Sequence, residues 1–317
     1  MKSSYTRRDF TKLALSALPA AGLWSSGNAL LGAESAGAAA KPNSKVAGVQ
    51  IGLNVPYSFS NPTMSGDDII KGCQHLNVSA VELRAQPVEA FLGLPAILVA
   101  TKGGGGEGNA EKVRQWRQSV SMDRVKDFRK KFEDAGIRPE ILKVDGIFKM
   151  TPAELDYSFL MAKALGARAI STEISKSDDD HRRVGQFADK HALLVAYHGH
   201  ATTTPEHWEK AFSLAKFNGA NVDIGHFMAG NNVSPAAFIE KHHARISHVH
   251  VKDRKKQNGP NMPFGEGDTP IIEILRLIRD RRWNIQATIE FEVKIPAGSD
   301  RLTEIAKTVN YCRAALA

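Results

Sequence analysis

Residues 246–253 read Ile-Ser-His-Val-His-Val-Lys-Asp. The alternation has the period of a β-strand, so His248, His250 and Lys252 share one face and Val249 and Val251 the other. In a closed barrel one face looks to the axis and the other to a surrounding helix layer. The valines suit the apolar helix layer. The two histidines and the lysine are therefore expected to point to the axis.

Seven further apolar runs have the same character: 46–55, 80–85, 138–144, 167–174, 193–198, 220–224 and 285–291. Helix-period stretches separate them at 67–76, 123–135, 152–165, 178–191, 205–217, 235–243, 270–281 and 300–316. Thr151-Pro152, Thr204-Pro205, Ser234-Pro235 and Thr269-Pro270 read as a helix cap followed by proline at the first turn. Strand–helix alternation predicts parallel βαβ units, and eight of them in about 270 residues predict a single (β/α)₈ TIM barrel. A doubly wound sheet fits less well, because polar residues end many strands and do not gather at one crevice. Residues 86–122, after the second strand, exceed a usual βα loop and hold Gly103–Gly106 and Trp116. They read as a long loop on the catalytic face, either a lid or a surface insertion.

The chain has 317 residues, 42% hydrophobic and 24% charged, an ordinary globular profile. The net charge is +8. In the first forty residues Lys2, Arg7, Arg8 and Lys12 oppose Asp9 and Glu34, so most of the excess lies beyond them. The dense run Lys252, Arg254, Lys255 and Lys256 lacks the interleaved aromatics of a nucleic-acid platform. It reads as a solvated basic surface, and no nucleic-acid partner is expected.

Residues 6–12, Thr-Arg-Arg-Asp-Phe-Thr-Lys, precede an apolar stretch at 13–24 and small residues at 25–40. That order makes a signal peptide, too short in its apolar part for a stable membrane span. Its paired arginines resemble the bacterial twin-arginine signal. The resemblance implies a signal over 1–40, cleavage between Ala29 and Ala40, the twin-arginine export machinery as a partner, and a periplasmic barrel over 41–317. Cys73 and Cys312 fall on core-facing helical stripes, so no disulfide is expected.

Five successive strands end in ionisable residues: Ser171-Thr172-Glu173, Tyr197-His198-Gly199-His200, Asn221-Val222-Asp223-Ile224-Gly225-His226, the quoted seventh strand, and Ile289-Glu290-Phe291-Glu292. Parity sends Asn221 with Asp223, and Glu290 with Glu292, to the same mouth. Several buried carboxylates would be costly without a cation. Three carboxylates and one imidazole suit Mn²⁺ or Mg²⁺ and would accept Co²⁺ or Zn²⁺.

At these residues the chain resembles the xylose isomerase-like barrel superfamily over residues 46–317. The specific pieces are Asp223-x-x-His226, Ser247–Asp253 and Ile289–Glu292. It looks closest to ketose 3-epimerases, inosose dehydratases and exported sugar phosphate isomerase/epimerase proteins. The resemblance implies one divalent metal held by Glu173, Asp223, His250 and Glu290. It also implies proton transfer by Glu173 and Glu290, and substrate contact by His226. The chain departs from the epimerases at Asp179, where they have Glu, and at Lys256, where they have Arg. The pair His198 and His200 is not part of the epimerase set.

The implied chemistry is proton abstraction beside a carbonyl through a metal-stabilised enediolate, with isomerisation or epimerisation as its outcome. His198, His200 or Lys143 would serve as a general acid if an oxygen departs, giving a lyase or dehydratase. His248, Lys252, Glu82 and Lys256 are further candidates for substrate contact. Export favours an unphosphorylated sugar or keto-sugar, and a homo-oligomer is compatible. A phosphodiester-cleaving endonuclease-like barrel and a non-catalytic sugar-binding barrel are the competing readings.

Overall fold

The computed structural model describes residues 40–95 and 107–317, with the side chains of 107 and 108 left aside. The expected export signal and the Gly103–Gly106 run lie outside the described residues.

The eight expected strands are present and close into a barrel. They are β2 (Val49–Val55), β3 (Ala80–Arg84), β4 (Arg138–Lys143), β5 (Ala169–Glu173), β6 (Leu194–His198), β7 (Asn218–Asp223), β8 (Ile246–Val251) and β9 (Gln286–Ile289). Each is parallel to the next, and β2 pairs with β9 to complete the ring. The run expected at 46–55 is divided. A short β1 (Lys45–Val46) folds back antiparallel on β2, because Ala47 and Gly48 both take positive φ and reverse the chain.

Register decides which side chains meet. Glu173 lies opposite His198, His198 opposite Asn221, and Asp223 opposite His250. Glu173, His198, Asn221 and His248 thus follow one row, and Asp223 and His250 pair two residues further toward the C-terminal end. Val249 and Val251 are fully buried against the helix layer, and His248 and His250 are fully buried on the axis side.

Thr151 caps the helix Pro152–Leu165 in a capping box with Glu154, as its sequence predicts. At Thr269-Pro270 the expected cap is absent. The Thr269 hydroxyl instead accepts from the Arg254 amide, and Pro270 itself stands at the helix N-terminus without a side-chain cap. Within the connection expected as a long loop at 86–122, the described residues form helices Ala85–Phe91 and Glu107–Ser119. Arg117 anchors the second of these, donating to Glu89 at 2.8 Å and Glu154 at 2.9 Å. A short helix, Ile224–Asn231, also follows β7 directly. Cys73 and Cys312 are free and fully buried on helices Gly66–His75 and Arg301–Leu316. Burial pushes both thiols up to about 12. Among the described residues no helix is long and apolar enough to cross a membrane.

Candidate metal centre

At the C-terminal mouth, His198, Asp223, His250 and Glu290 each offer one ligand atom, and these atoms lie within 4.8 Å of one another. All four residues are buried. Asp223 ends β7 and caps the following helix through the His226 amide at 2.7 Å. That turn is tight because Gly225 lies against β8: a Cβ there would stand 2.6 Å from the Lys252 carbonyl oxygen. Gly199 plays a similar part between His198 and His200, where a Cβ would fall 2.2 Å from the Trp208 ring.

His250 is held from below. Its Nε2 lies 2.5 Å from Glu82, whose other oxygen is 3.5 Å from His248 Nε2. Glu82 and His248 are fully buried. The sequence offers both for substrate contact, yet they form the floor under His250 and have no exposed surface. On the other side His250 Nδ1 faces Glu290 at 3.4 Å. Burial opposes a charge on His250, but Glu82 and Glu290 push its pKa up to about 10. Burial pushes His248 down to about 4. Burial likewise lowers His226 to about 4, so it is neutral at pH 7.

Lys252 reaches the same centre. Its Nζ is 2.8 Å from Glu290, 3.3 Å from Asp223 and 2.6 Å from Glu292. Burial disfavours the charges on Asp223 and Glu290. The facing His226 and Lys252 nevertheless hold Asp223 below the usual carboxylate range, and His250 and Lys252 do so for Glu290.

Glu173 occupies the rim. Its side chain is 46% exposed. One oxygen accepts from the buried Lys143 at 2.6 Å, and the other meets His200 at 2.6 Å and His198 Nδ1 at 3.2 Å. Burial opposes its charge, but His198, His200 and Lys143 hold it far below the carboxylate range. The same hydrogen bond raises His200, whose side chain is 56% exposed. Lys256 is exposed, and its backbone amide bonds Asp268.

Several neighbours were not singled out from sequence. Asn54 donates to Glu290 at 3.0 Å, Tyr57 to Glu292, and Asn261 to Glu292 at 3.2 Å. Arg254 lies 2.6 Å from His226 Nδ1 and donates to the Gly259 carbonyl. Asn54, Tyr57 and Glu292 meet only where β2 closes on β9. Arg254 lies past the end of β8, where alternation no longer predicts direction.

The donors fit a divalent cation. His198 Nε2, Asp223 Oδ2 and His250 Nδ1 are buried and carry no hydrogen bond. Buried polar atoms are rarely left without a partner. Among the described residues five carboxylates, Glu82, Glu173, Asp223, Glu290 and Glu292, face two lysines, Lys143 and Lys252, and the raised His250, and a cation would offset the remaining excess.

Residues 161–315 match the family described as xylose isomerase-like TIM barrel. No curated protein matches the chain. Among solved structures, a xylose isomerase domain protein from Planctomyces limnophilus is 14% identical, with a TM-score of 0.58 over 84% of this chain and 96% of that one. An uncharacterised protein from Parabacteroides distasonis is 20% identical, with a TM-score of 0.56 over 84% and 99%. A 3-keto-D-glucoside 4-epimerase from E. coli is 12% identical, with a TM-score of 0.56 over 84% and 99%. At these identities the likeness shows the fold.

Proposed function

We propose that this chain, which carries the xylose isomerase-like pattern over residues 161–315, is a divalent-metal-dependent sugar isomerase or epimerase working by proton abstraction beside a carbonyl. The observation that carries the reading is the buried meeting of His198, Asp223, His250 and Glu290 beneath an open rim that holds Glu173 and His200. The epimerase among its structural neighbours agrees with it.

Asp223, His250 and Glu290 would hold the cation, with Glu173 or His198 beside them. When bound, such a cation polarises the adjacent carbonyl and hydroxyl oxygens of a sugar and makes the hydrogen between them more acidic. The protein does the rest. Glu173, kept ionised by Lys143, accepts a proton at the mouth. His200 can take that proton onward from the same carboxylate. Neutral His226 is fixed by Arg254 at Nδ1 and by Lys252, 3.2 Å from Nε2, so a substrate oxygen would meet it beside Lys252. Lys252 keeps Glu290 ionised.

Incubating the metal-loaded protein with sugars and keto-sugars in D₂O tests this. Deuterium should enter the carbon beside the carbonyl. A panel that includes keto-glycosides and gives no exchange would sink the reading. Loss of an oxygen after the same abstraction is the second reading, because His200 is an exposed imidazole able to protonate a leaving group. Dehydrated or cleaved products would identify it. We also propose twin-arginine export to the periplasm, with an unphosphorylated sugar as substrate. A reporter fused to residues 1–40 should leave the cytoplasm, and should stay there when Arg7 and Arg8 are both replaced by lysine.

A further inference from the structure

We infer that His198, and not Glu173, is the fourth ligand of the cation site, and that Glu173 and Glu82 act as paired braces for its two histidines. This rests on the reading of the centre as a metal site.

The unbonded atoms separate the two candidates. His198 Nε2, Asp223 Oδ2 and His250 Nδ1 are buried without a hydrogen bond, with only ion-pair neighbours at 3.3–3.8 Å, and Glu290 completes the group within 4.8 Å. Glu173 has neither property. Its oxygens are held by Lys143 on one side and by His200 and His198 on the other, and it groups only with His198 and the exposed His200 on the rim, whereas Glu290, also hydrogen-bonded, lies inside the buried set. Bringing Glu173 onto the cation would strip the buried Lys143 of the carboxylate that neutralises it.

The two histidines are held alike. His198 turns Nδ1 to Glu173 at 3.2 Å and leaves Nε2 facing the group. His250 turns Nε2 to Glu82 at 2.5 Å and leaves Nδ1 facing the group. A histidine that donates from one ring nitrogen to a carboxylate presents a lone pair on the other. Histidines that bind metals are commonly braced in this way. Here one brace comes from β3 and the other from β5, reaching the centre from different parts of the wall.

The ligand set becomes two imidazoles, one aspartate and one glutamate. Such a set binds Co²⁺ and Zn²⁺ more tightly than Mn²⁺, and holds Mg²⁺ poorly.

The test uses the full chain, stripped of metal by a chelator and titrated with Co²⁺ alone, following heat and the visible spectrum. Glu173→Gln and Glu82→Gln should each weaken binding by about 10–100-fold, the usual effect of losing a brace. At saturation both should keep the wild-type spectrum. His198→Ala and His198→Asn should weaken binding further and change the spectrum at saturation. Circular dichroism confirms that each variant is folded, and either His198 variant suffices if the other is not. A changed spectrum in Glu173→Gln with an unchanged one in the His198 variants would overturn the inference. Failure of the wild type to bind any divalent ion would overturn the metal reading as well, so the two failures are distinct.

Discussion

The two ends of the barrel are built from the same strands but finished differently. At the N-terminal end Arg168 spans the base. It bonds Glu140 at 3.1 Å and the carbonyl of Asn284 at 3.1 Å, and it donates to the carbonyl of Ser247. Its guanidinium reaches parts of the wall that are far apart in sequence. At the C-terminal end three buried ligand atoms have no hydrogen bond. β8 shows both treatments in one strand: the Ser247 carbonyl is tied from below, and His250 Nδ1 is left open above. The base is tied together by a single arginine, with Gln286 Oε1 its one buried atom left without a hydrogen bond among the described residues, whereas the mouth gathers three such ligand atoms around one point.

The largest effect that should follow from this contrast is on turnover. Glu290→Gln keeps the side chain's size and one oxygen but removes its charge. If Glu290 both holds the cation and moves a proton, turnover should fall by about 10²–10⁴-fold even at saturating metal. Asp223→Asn should chiefly weaken metal binding, and excess Mn²⁺ should restore much of its rate. Turnover of both variants against metal concentration checks this. Full rescue of Glu290→Gln would leave Glu290 a ligand only.

The next effect is on metal affinity. Without metal, His250 carries a proton at pH 7, since Glu82 and Glu290 push its pKa to about 10. A ligand must release its proton to bind, so affinity should rise by about tenfold per pH unit between pH 6 and 8. Calorimetry in buffers of different ionisation enthalpy should find proton release on binding. A pH-independent affinity would show that His250 is already neutral or does not bind.

At the base the effect should be on stability. Arg168→Met leaves the Asn284 and Ser247 carbonyls without this donor and Glu140 with Arg138 alone, and should lower stability by about 2 kcal/mol, with metal affinity unchanged. Urea unfolding and a Co²⁺ titration read the two separately. Weakened metal binding in this variant would mean that the ends are coupled. The smallest effect concerns the thiols. Protein unfolded without reductant should titrate two free thiols, and reductant should leave its stability unchanged.

The barrel was legible because period-two alternation survives in every strand and helix caps punctuate the gaps. Parity placed His248, His250 and Lys252 on the axis, and they are there. It did not give height along the axis. His248 and His250 share a face, but one is floor and the other lines the centre. Glu82 was singled out without its true neighbours, because its partner His250 lies 168 residues away. Counting from His250 puts Lys256 where the epimerases have arginine, and the residue reads as a departure from them. The chain leaves the barrel wall after Val251, and Arg254 reaches His226 instead. The helix Glu107–Ser119 is not legible in its own segment, because its anchor, Arg117, finds its acids outside it at Glu89 and Glu154.

The closing pair of strands has a consequence for biosynthesis. β2 pairs with β9, and Asn54 reaches Glu290 across 236 residues. At about 5–20 residues per second, the ribosome needs tens of seconds after making Asn54 to deliver that partner. Throughout this interval one edge of β2 has no neighbour, a state that invites association with other chains. Glu290 is also among the last site residues to be made, so the complete centre cannot form on a half-built chain. Metal can meet the full set of donors only after translation, or at its very end.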